Sequence, residues 1–172
     1  ILLPPSVAGA AVNVAASLLG KPVVNLNYTA SAESTRSALE QTGIRKVVSS
    51  RAFLEKVKVE VPAEVIFVED FANRHGSMVK ALDAAAAWLL PAPLLRFWVG
   101  GKKVVMDDIA TVIFSSGSTG EPKGILQSHF NILSNIQSVT QLLQIGPRDR
   151  VLAVLPFFHS TGYTAGVWAP LL

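Results

Sequence analysis

The chain predicts an α/β fold, a mostly parallel sheet flanked by helices, and three observations carry that expectation. Helical stretches alternate with short β-branched runs through the first half, as strands joined by crossover helices require. Serines and glycines stand where those helices should start and stop. Half of the residues are hydrophobic and only 16% are charged, against about a quarter in an ordinary soluble domain. A chain of 172 residues suits one domain.

The elements follow in order. Residues 6–19 are small and apolar and end at Gly20 before Lys21-Pro22, which reads as a buried helix with a glycine stop. Residues 22–27 read as a short strand. Ser31 caps a helix over residues 32–42 that Gly43 closes. Residues 45–50 and 64–68 read as strands, with a short helix over residues 51–57 between them. A helix over residues 77–90 stops at Pro91 and Pro93, and Gly100-Gly101 makes a turn. Residues 111–114 form a strand, residues 124–127 another, and Ser128 caps the helix that follows. In that helix Ile132, Ile136, Val139 and Leu143 make one apolar stripe, and Gly146-Pro147 stops it. Residues 150–155 read as a last buried strand.

Charge and composition exclude several classes. The net charge is +3, with basic residues scattered, so no stripe points to nucleic acid. With no cysteine there is neither a disulfide framework nor a thiol nucleophile, which fits a cytoplasmic setting, and no signal peptide is visible. The three histidines are far apart and no carboxylates cluster at ligand spacing, so no metal site is expected from these residues. The chain opens inside an apolar phrase, Ile1-Leu2-Leu3, and closes on another, which reads as a piece of a larger protein.

The most informative stretch is Ser115-Ser116-Gly117-Ser118-Thr119-Gly120-Glu121-Pro122-Lys123-Gly124, directly after a β-branched strand. A loop with little side-chain bulk, four serine or threonine hydroxyls ahead of Glu121 and one cation is built to hold a polyphosphate. Glycines let backbone N–H groups approach anionic oxygens, and the hydroxyls and Lys123 ammonium add donors and charge. The nucleotide loop of mononucleotide kinases needs Gly-Lys after Gly and four spacers, yet five residues on from Gly117 stands Pro122. This is a different phosphate loop.

The loop resembles the signature of acyl-adenylate-forming enzymes, Ser/Thr-Ser-Gly-Ser/Thr-Thr-Gly-x-Pro-Lys-Gly, at all nine defined positions. The resemblance implies that Ser115, Ser116, Gly117, Ser118, Thr119, Gly120, Lys123 and Gly124 bind the phosphates of ATP, with Glu121 at the variable position. Pro156-Phe157-Phe158-His159-Ser160-Thr161-Gly162-Tyr163 is similar to the next motif of that family. By that likeness Phe158, His159, Gly162 and Tyr163 belong to the acyl pocket. His129 reads as structural, at a helix start, and His75 as a surface-loop residue. The implied fold is an incomplete piece of the large N-terminal domain, with residues 1–106 its α/β region and residues 107–172 its phosphate-loop and acyl-pocket region. The C-terminal domain, the ribose-binding and magnesium-binding residues and a late catalytic lysine are expected beyond Leu172. The piece alone is therefore expected to be inactive, and no catalytic residue is assigned within it.

Shorter phrases, among them Asn25-Leu26-Asn27-Tyr28-Thr29-Ala30 and residues 50–56, look like the acyl-acyl-carrier-protein synthetases of bacteria. These are the ones fused to 2-acylglycerophosphoethanolamine acyltransferases. Medium- and long-chain acyl-CoA synthetases are also similar. The resemblance implies activation of a fatty acid by ATP and Mg2+ to acyl-AMP, then transfer to the thiol of acyl carrier protein or coenzyme A. A nucleotide- or acyl-binding module that has lost the chemistry is the non-enzymatic alternative. Residues 84–99, with two prolines, one arginine and Trp88 and Trp98, are too short an apolar run to span a bilayer. They fit equally a membrane interface at the inner face or burial against further protein.

Overall fold

Serine hydroxyls start four of the helices. In the computed structural model, which describes residues 1–74, 76–115 and 121–172 (side chains of Ala72 and Asn73 excepted), each accepts a hydrogen bond from the first turn. Ser6 accepts from the Gly9 N–H at 3.1 Å and opens α1 (Val7–Leu18). Ser31 accepts from Ser34 at 3.1 Å and opens α2 (Ala32–Thr42), which Gly43 ends in the left-handed conformation at φ 64°. Ser50 opens α3 (Arg51–Val57) in the same way. Ser128 and Asn131 form a reciprocal capping box at the head of α7, His129–Leu143.

Between these helices lie β1 (Lys46–Ser49) and β2 (Glu64–Phe67), paired in parallel with Val47 opposite Val65. Strands β3 (Ile109–Ser115) and β4 (Lys123–Ser128) form an antiparallel pair with an irregularity near Ile109 and Thr111. Two extended segments join the pairs. Leu2 bridges Ser49 in parallel, and the Ser49 hydroxyl donates to the Leu2 carbonyl at 2.7 Å. The Leu26 N–H donates to the Ile1 carbonyl, and Val23 bridges Thr111 in parallel, with the Thr111 hydroxyl donating to the Val23 carbonyl at 2.7 Å. The ribbon order is thus β2, β1, residues 1–2, residues 23–26, β3, β4. The sheet is mostly parallel, with an antiparallel edge at β4.

Both faces are covered, as parallel sheets demand. On one face Ala110 and Ile113 of β3 pack with Ile132 and Ile136 of α7, Phe157, Tyr163 and Val167, and α1 adds Ala10. On the other, Leu2, Val24, Leu26 and Val47 pack with Ala38 and Leu39 of α2, joined by Phe53, Leu54, Val112 and Phe114. The buried amides of Asn13 and Asn25 hydrogen-bond each other reciprocally at 2.9 and 3.2 Å, tying α1 to the sheet. That pairing satisfies two groups whose burial would otherwise be costly.

Several expected elements differ. Residues 22–27 form no full strand: they bridge β3 at Val23 alone, and on their other edge Val24 and Leu26 bond only to Ile1. Residues 150–155 form no strand. Among the described residues no neighbour offers them a ladder, Val154 bonds locally to Leu152, and Leu152 is 84% exposed. α7 ends at Gln144, left-handed at φ 54°, before Gly146-Pro147. Only Ile132 and Ile136 of its stripe are buried, since Val139 and Leu143 run past the edge of the core. Three helices were not expected: α4 (Val68–Arg74), which takes Val68 from the strand, α6 (Ala92–Trp98), which follows α5 (Ser77–Leu89), and α8 (Ser160–Tyr163) within the aromatic motif. Pro93 lies in the first turn of α6, where no N–H is needed. His75 lies outside the described residues. The chain closes through α8 (Ser160–Tyr163), a π turn over Thr164–Trp168 and a 3-10 turn over Ala169–Leu171.

Candidate functional site

Parallel ribbons place their carboxyl ends on one edge, and loops leaving that edge border a shared crevice. Two such loops are neighbours here because Val23 pairs with Thr111. One runs from Asn25 through Thr29 into α2. The other leaves β3 at Ser115 and returns at Lys123. The β3–β4 ladder sets Ser115 directly opposite Lys123 and Phe114 opposite Gly124, so both ends of the hydroxyl-rich loop are pinned at one rung. Residues 116–120, which carry Ser116, Gly117, Ser118, Thr119 and Gly120, lie outside the described residues.

Helix α2 holds the returning limb. The Gln41 side-chain amide donates to the Pro122 carbonyl at 2.9 Å and to the Ser37 hydroxyl at 3.0 Å. Gly124 sits close under its partner strand: a Cβ there would stand 3.1 Å from Val112 Cγ1 and 3.2 Å from the Phe114 ring. Lys123 is exposed at the start of β4.

A cavity of about 280 Å³ opens between the two loops. It is lined by polar residues, Asn25, Asn27, Thr29, Ser34, Thr35 and Ser115, together with Leu26, Ala38, Phe114, Pro122 and Phe158. A lining that mixes hydroxyls and amides with two aromatic rings suits a ligand with both polar and apolar parts. Tyr28 packs edge-on against both Phe53 and Phe158, at 5.2 and 5.0 Å between centroids. Tyr28 does not itself line the cavity but braces Phe158 from behind, and partial burial pushes its phenol up.

The aromatic motif divides between the cavity and the core. Phe158 lines the cavity, and exposed His159 tilts against it with centroids 4.6 Å apart. Gly162 is buried where a Cβ would collide with the carbonyl oxygens of Pro156 and Leu155. Tyr163 does not line the cavity. It is 1% exposed, packed with Ile113 and Ile136 and edge-on to Trp168 at 6.1 Å, and burial raises its pKa. His129 begins α7, its backbone N–H donating to the Asp108 carbonyl, as a structural position should.

Sequence reasoning assigned no role to Gln41, Thr29, Ser34 or Thr35. Thr29, Ser34 and Thr35 reach the cavity through the pairing of Val23 with Thr111, which no sequence signal marks. Nothing in the sequence marks Gln41, whose partner is 81 residues away. No group of three histidine, cysteine or carboxylate side chains among the described residues could hold a metal ion. These residues therefore do not make a magnesium site by themselves.

Relatives of known activity share this chain's sequence and fold. It is 27% identical over 148 residues to the 2-succinylbenzoate–CoA ligase of Bacillus licheniformis, matching 86% of this chain and 27% of that enzyme. It is 38% identical over 66 residues to the medium-chain fatty-acid–CoA ligase of Escherichia coli, matching 38% of this chain and 12% of the other. The chain thus spans about a quarter or less of the length of these relatives. The structure of O-succinylbenzoate coenzyme A synthetase from Bacillus subtilis, in complex with ATP and magnesium ion, superimposes with a TM-score of 0.65 at 23% identity. That match covers 99% of this chain and 40% of the other. The family model described as AMP-binding enzyme matches residues 1–172, so the chain belongs to that family, within the fold of its N-terminal domain.

Proposed function

We propose that the enzyme containing this chain activates a fatty acid with ATP and passes the acyl group to a thiol. A carboxylate oxygen of the acid attacks the α-phosphorus, and the bond to the oxygen bridging to the β-phosphate breaks. Acyl-AMP and pyrophosphate result. A thiol then attacks the acyl carbon, and AMP leaves with the electron pair of the broken acyl–oxygen bond. The carboxylate is already ionised at neutral pH, so the first step needs no general base. What the protein supplies is position and charge neutralisation of the leaving group.

One observation supports this reading above the others. A ladder rung pins Ser115 opposite Lys123 at the ends of a hydroxyl- and glycine-rich loop, and Ser115 and Phe158 line one cavity. In this reading the β- and γ-phosphates lie against Ser116, Ser118, Thr119, Lys123 and the loop's backbone amides. Ser115, Gly120 and Gly124 shape its ends, and Gly117 gives the backbone close approach. Phe158 and His159 border the acyl chain, with Gly162 letting that segment pack. Magnesium bound with ATP would neutralise phosphate charge. Residues 1–172 are then part of the N-terminal domain, with adenine, ribose and magnesium contacts made elsewhere in the polypeptide. The acceptor is the phosphopantetheine thiol of acyl carrier protein, with coenzyme A the second candidate, and the setting is the periphery of a membrane that an adjoining lysophospholipid acyltransferase would share. The phrases at residues 25–30 and 50–56 support the carrier-protein reading, and the likeness to a medium-chain fatty-acid–CoA ligase supports coenzyme A.

The test is fatty-acid-dependent exchange of labelled pyrophosphate into ATP by the full-length protein, followed by acyl transfer to each acceptor. Exchange with transfer to acyl carrier protein is expected. Exchange with transfer to coenzyme A alone would replace the acceptor, and no exchange with any acid would leave the binding-module reading.

A further inference from the structure

Helices α5 and α6 stand apart from both cores. None of their residues joins the clusters on either face of the sheet. Trp88 is 90% exposed, Phe97 84% and Trp98 66%, and Leu89 and Leu94 are exposed beside them. The end of α6 meets α1 at Gly101, whose N–H donates to the Arg96 carbonyl of α6 and where a Cβ would collide with the Leu18 carbonyl oxygen. A projecting pair of helices with large aromatic tips marks an interaction surface.

Charge narrows the partner. Residues 77–103 carry Lys80, Arg96, Lys102 and Lys103 against Asp83 alone, a net +3. Of the acids that flank this stretch, Asp70 pairs with Arg51 at 2.9 Å, Glu69 accepts from Ser50 and Arg51, and Asp108 accepts from the Val105 N–H; Asp107 is exposed, and with it and Asp108 counted residues 77–108 stay basic at a net +1. Protein interfaces are depleted in lysine, whereas a membrane surface combines apolar depth with an anionic rim. Tryptophan prefers that boundary, where its ring is buried and its N–H stays wet. Among the described residues no helix is long and apolar enough to cross a membrane. The 13 residues of α5 span about 20 Å against a hydrocarbon core of about 30 Å, and Pro91 and Pro93 separate it from α6.

We propose that α5 and α6 lie in the surface of an anionic phospholipid bilayer, with Trp88, Phe97 and Trp98 in the headgroup boundary and Arg96, Lys102 and Lys103 on lipid phosphates. This rests on the membrane-periphery part of the proposed function and not on its ligase chemistry.

The full-length protein is sedimented with phosphatidylcholine vesicles, with and without one third phosphatidylglycerol, and its tryptophan fluorescence is quenched with brominated phosphatidylcholine. Binding to the anionic vesicles with quenching is expected. Trp88→Ser with Trp98→Ser should weaken binding by roughly tenfold or more and remove most of the quenching. Lys102→Glu with Lys103→Glu should remove the preference for anionic lipid. Pyrophosphate exchange with a water-soluble acid, unchanged in both variants, separates loss of fold from loss of contact. Equal binding by wild type and the tryptophan variant overturns the proposal. So does a wild-type protein that ignores anionic vesicles, or bound protein whose tryptophans are unquenched, the result expected if these helices are covered by protein. A protein that binds vesicles in this way but exchanges no pyrophosphate would retain the membrane contact and reject the ligase.

Discussion

Ser115 and Lys123 show how little a side chain's neighbourhood in sequence says about its neighbourhood in space: eight positions apart, they share one rung of a ladder. Their types and spacing were legible, because few residue sets combine glycine, hydroxyl and a lone cation. Gly162 was legible as a break but not for its reason, which is that the carbonyls of Leu155 and Pro156 occupy the place of a side chain. Gly162→Ala should therefore destabilise the protein by about 1–3 kcal/mol through overpacking. Urea unfolding of the full-length protein would read this as a lowered midpoint, and a wild-type midpoint would contradict the contact. Tyr163 was not legible as core. An aromatic run with a histidine announces packing, yet only the turn of α8 decides which ring faces the sheet and which the cavity.

At the scale of elements, caps were the readable signal. Ser31 and Ser128 read as helix starts and Gly43 as an end, as they are; Ser6 and Ser50, read as part of a helix and of a strand, turn out to be caps as well. Partners were not readable. Residues 150–155 have the composition of a strand, but a strand needs a neighbour for its backbone groups, and among the described residues none runs beside them. Pro91 and Pro93 read as a stop, although proline is as much at home in a first turn, where α6 uses it. Helix α2 bears on the site as an element, because its last turn reaches the returning limb of the loop at 115–123 through Gln41 and the Pro122 carbonyl. Gln41→Leu keeps the helix and removes that tether. It should slow acyl-adenylate formation roughly two- to tenfold, the worth of one net hydrogen bond, without lowering the melting temperature. Single-turnover formation of acyl-AMP would measure it, and a wild-type rate would show that the tether does not position the loop.

Across the whole molecule, the sheet order brings the site together. Two β-bridges and a few hydrogen bonds join two small pairs of strands into one mostly parallel layer, and that layer puts residues 25–29 beside the loop at 115–123. Alternation of helices and strands made this class of fold legible. Ribbon order was hidden, because it rests on single bridges at Leu2 and Val23 that no propensity marks. In the proposed function the loop whose ends stand at the carboxyl edge of the sheet holds the phosphates that leave as pyrophosphate. The decisive experiment is fatty-acid-dependent pyrophosphate exchange by full-length Lys123→Ala and Thr119→Ala, with their stability checked. Each variant is expected to fold and to slow exchange by roughly tenfold or more; a wild-type rate in both would remove the loop from the reaction.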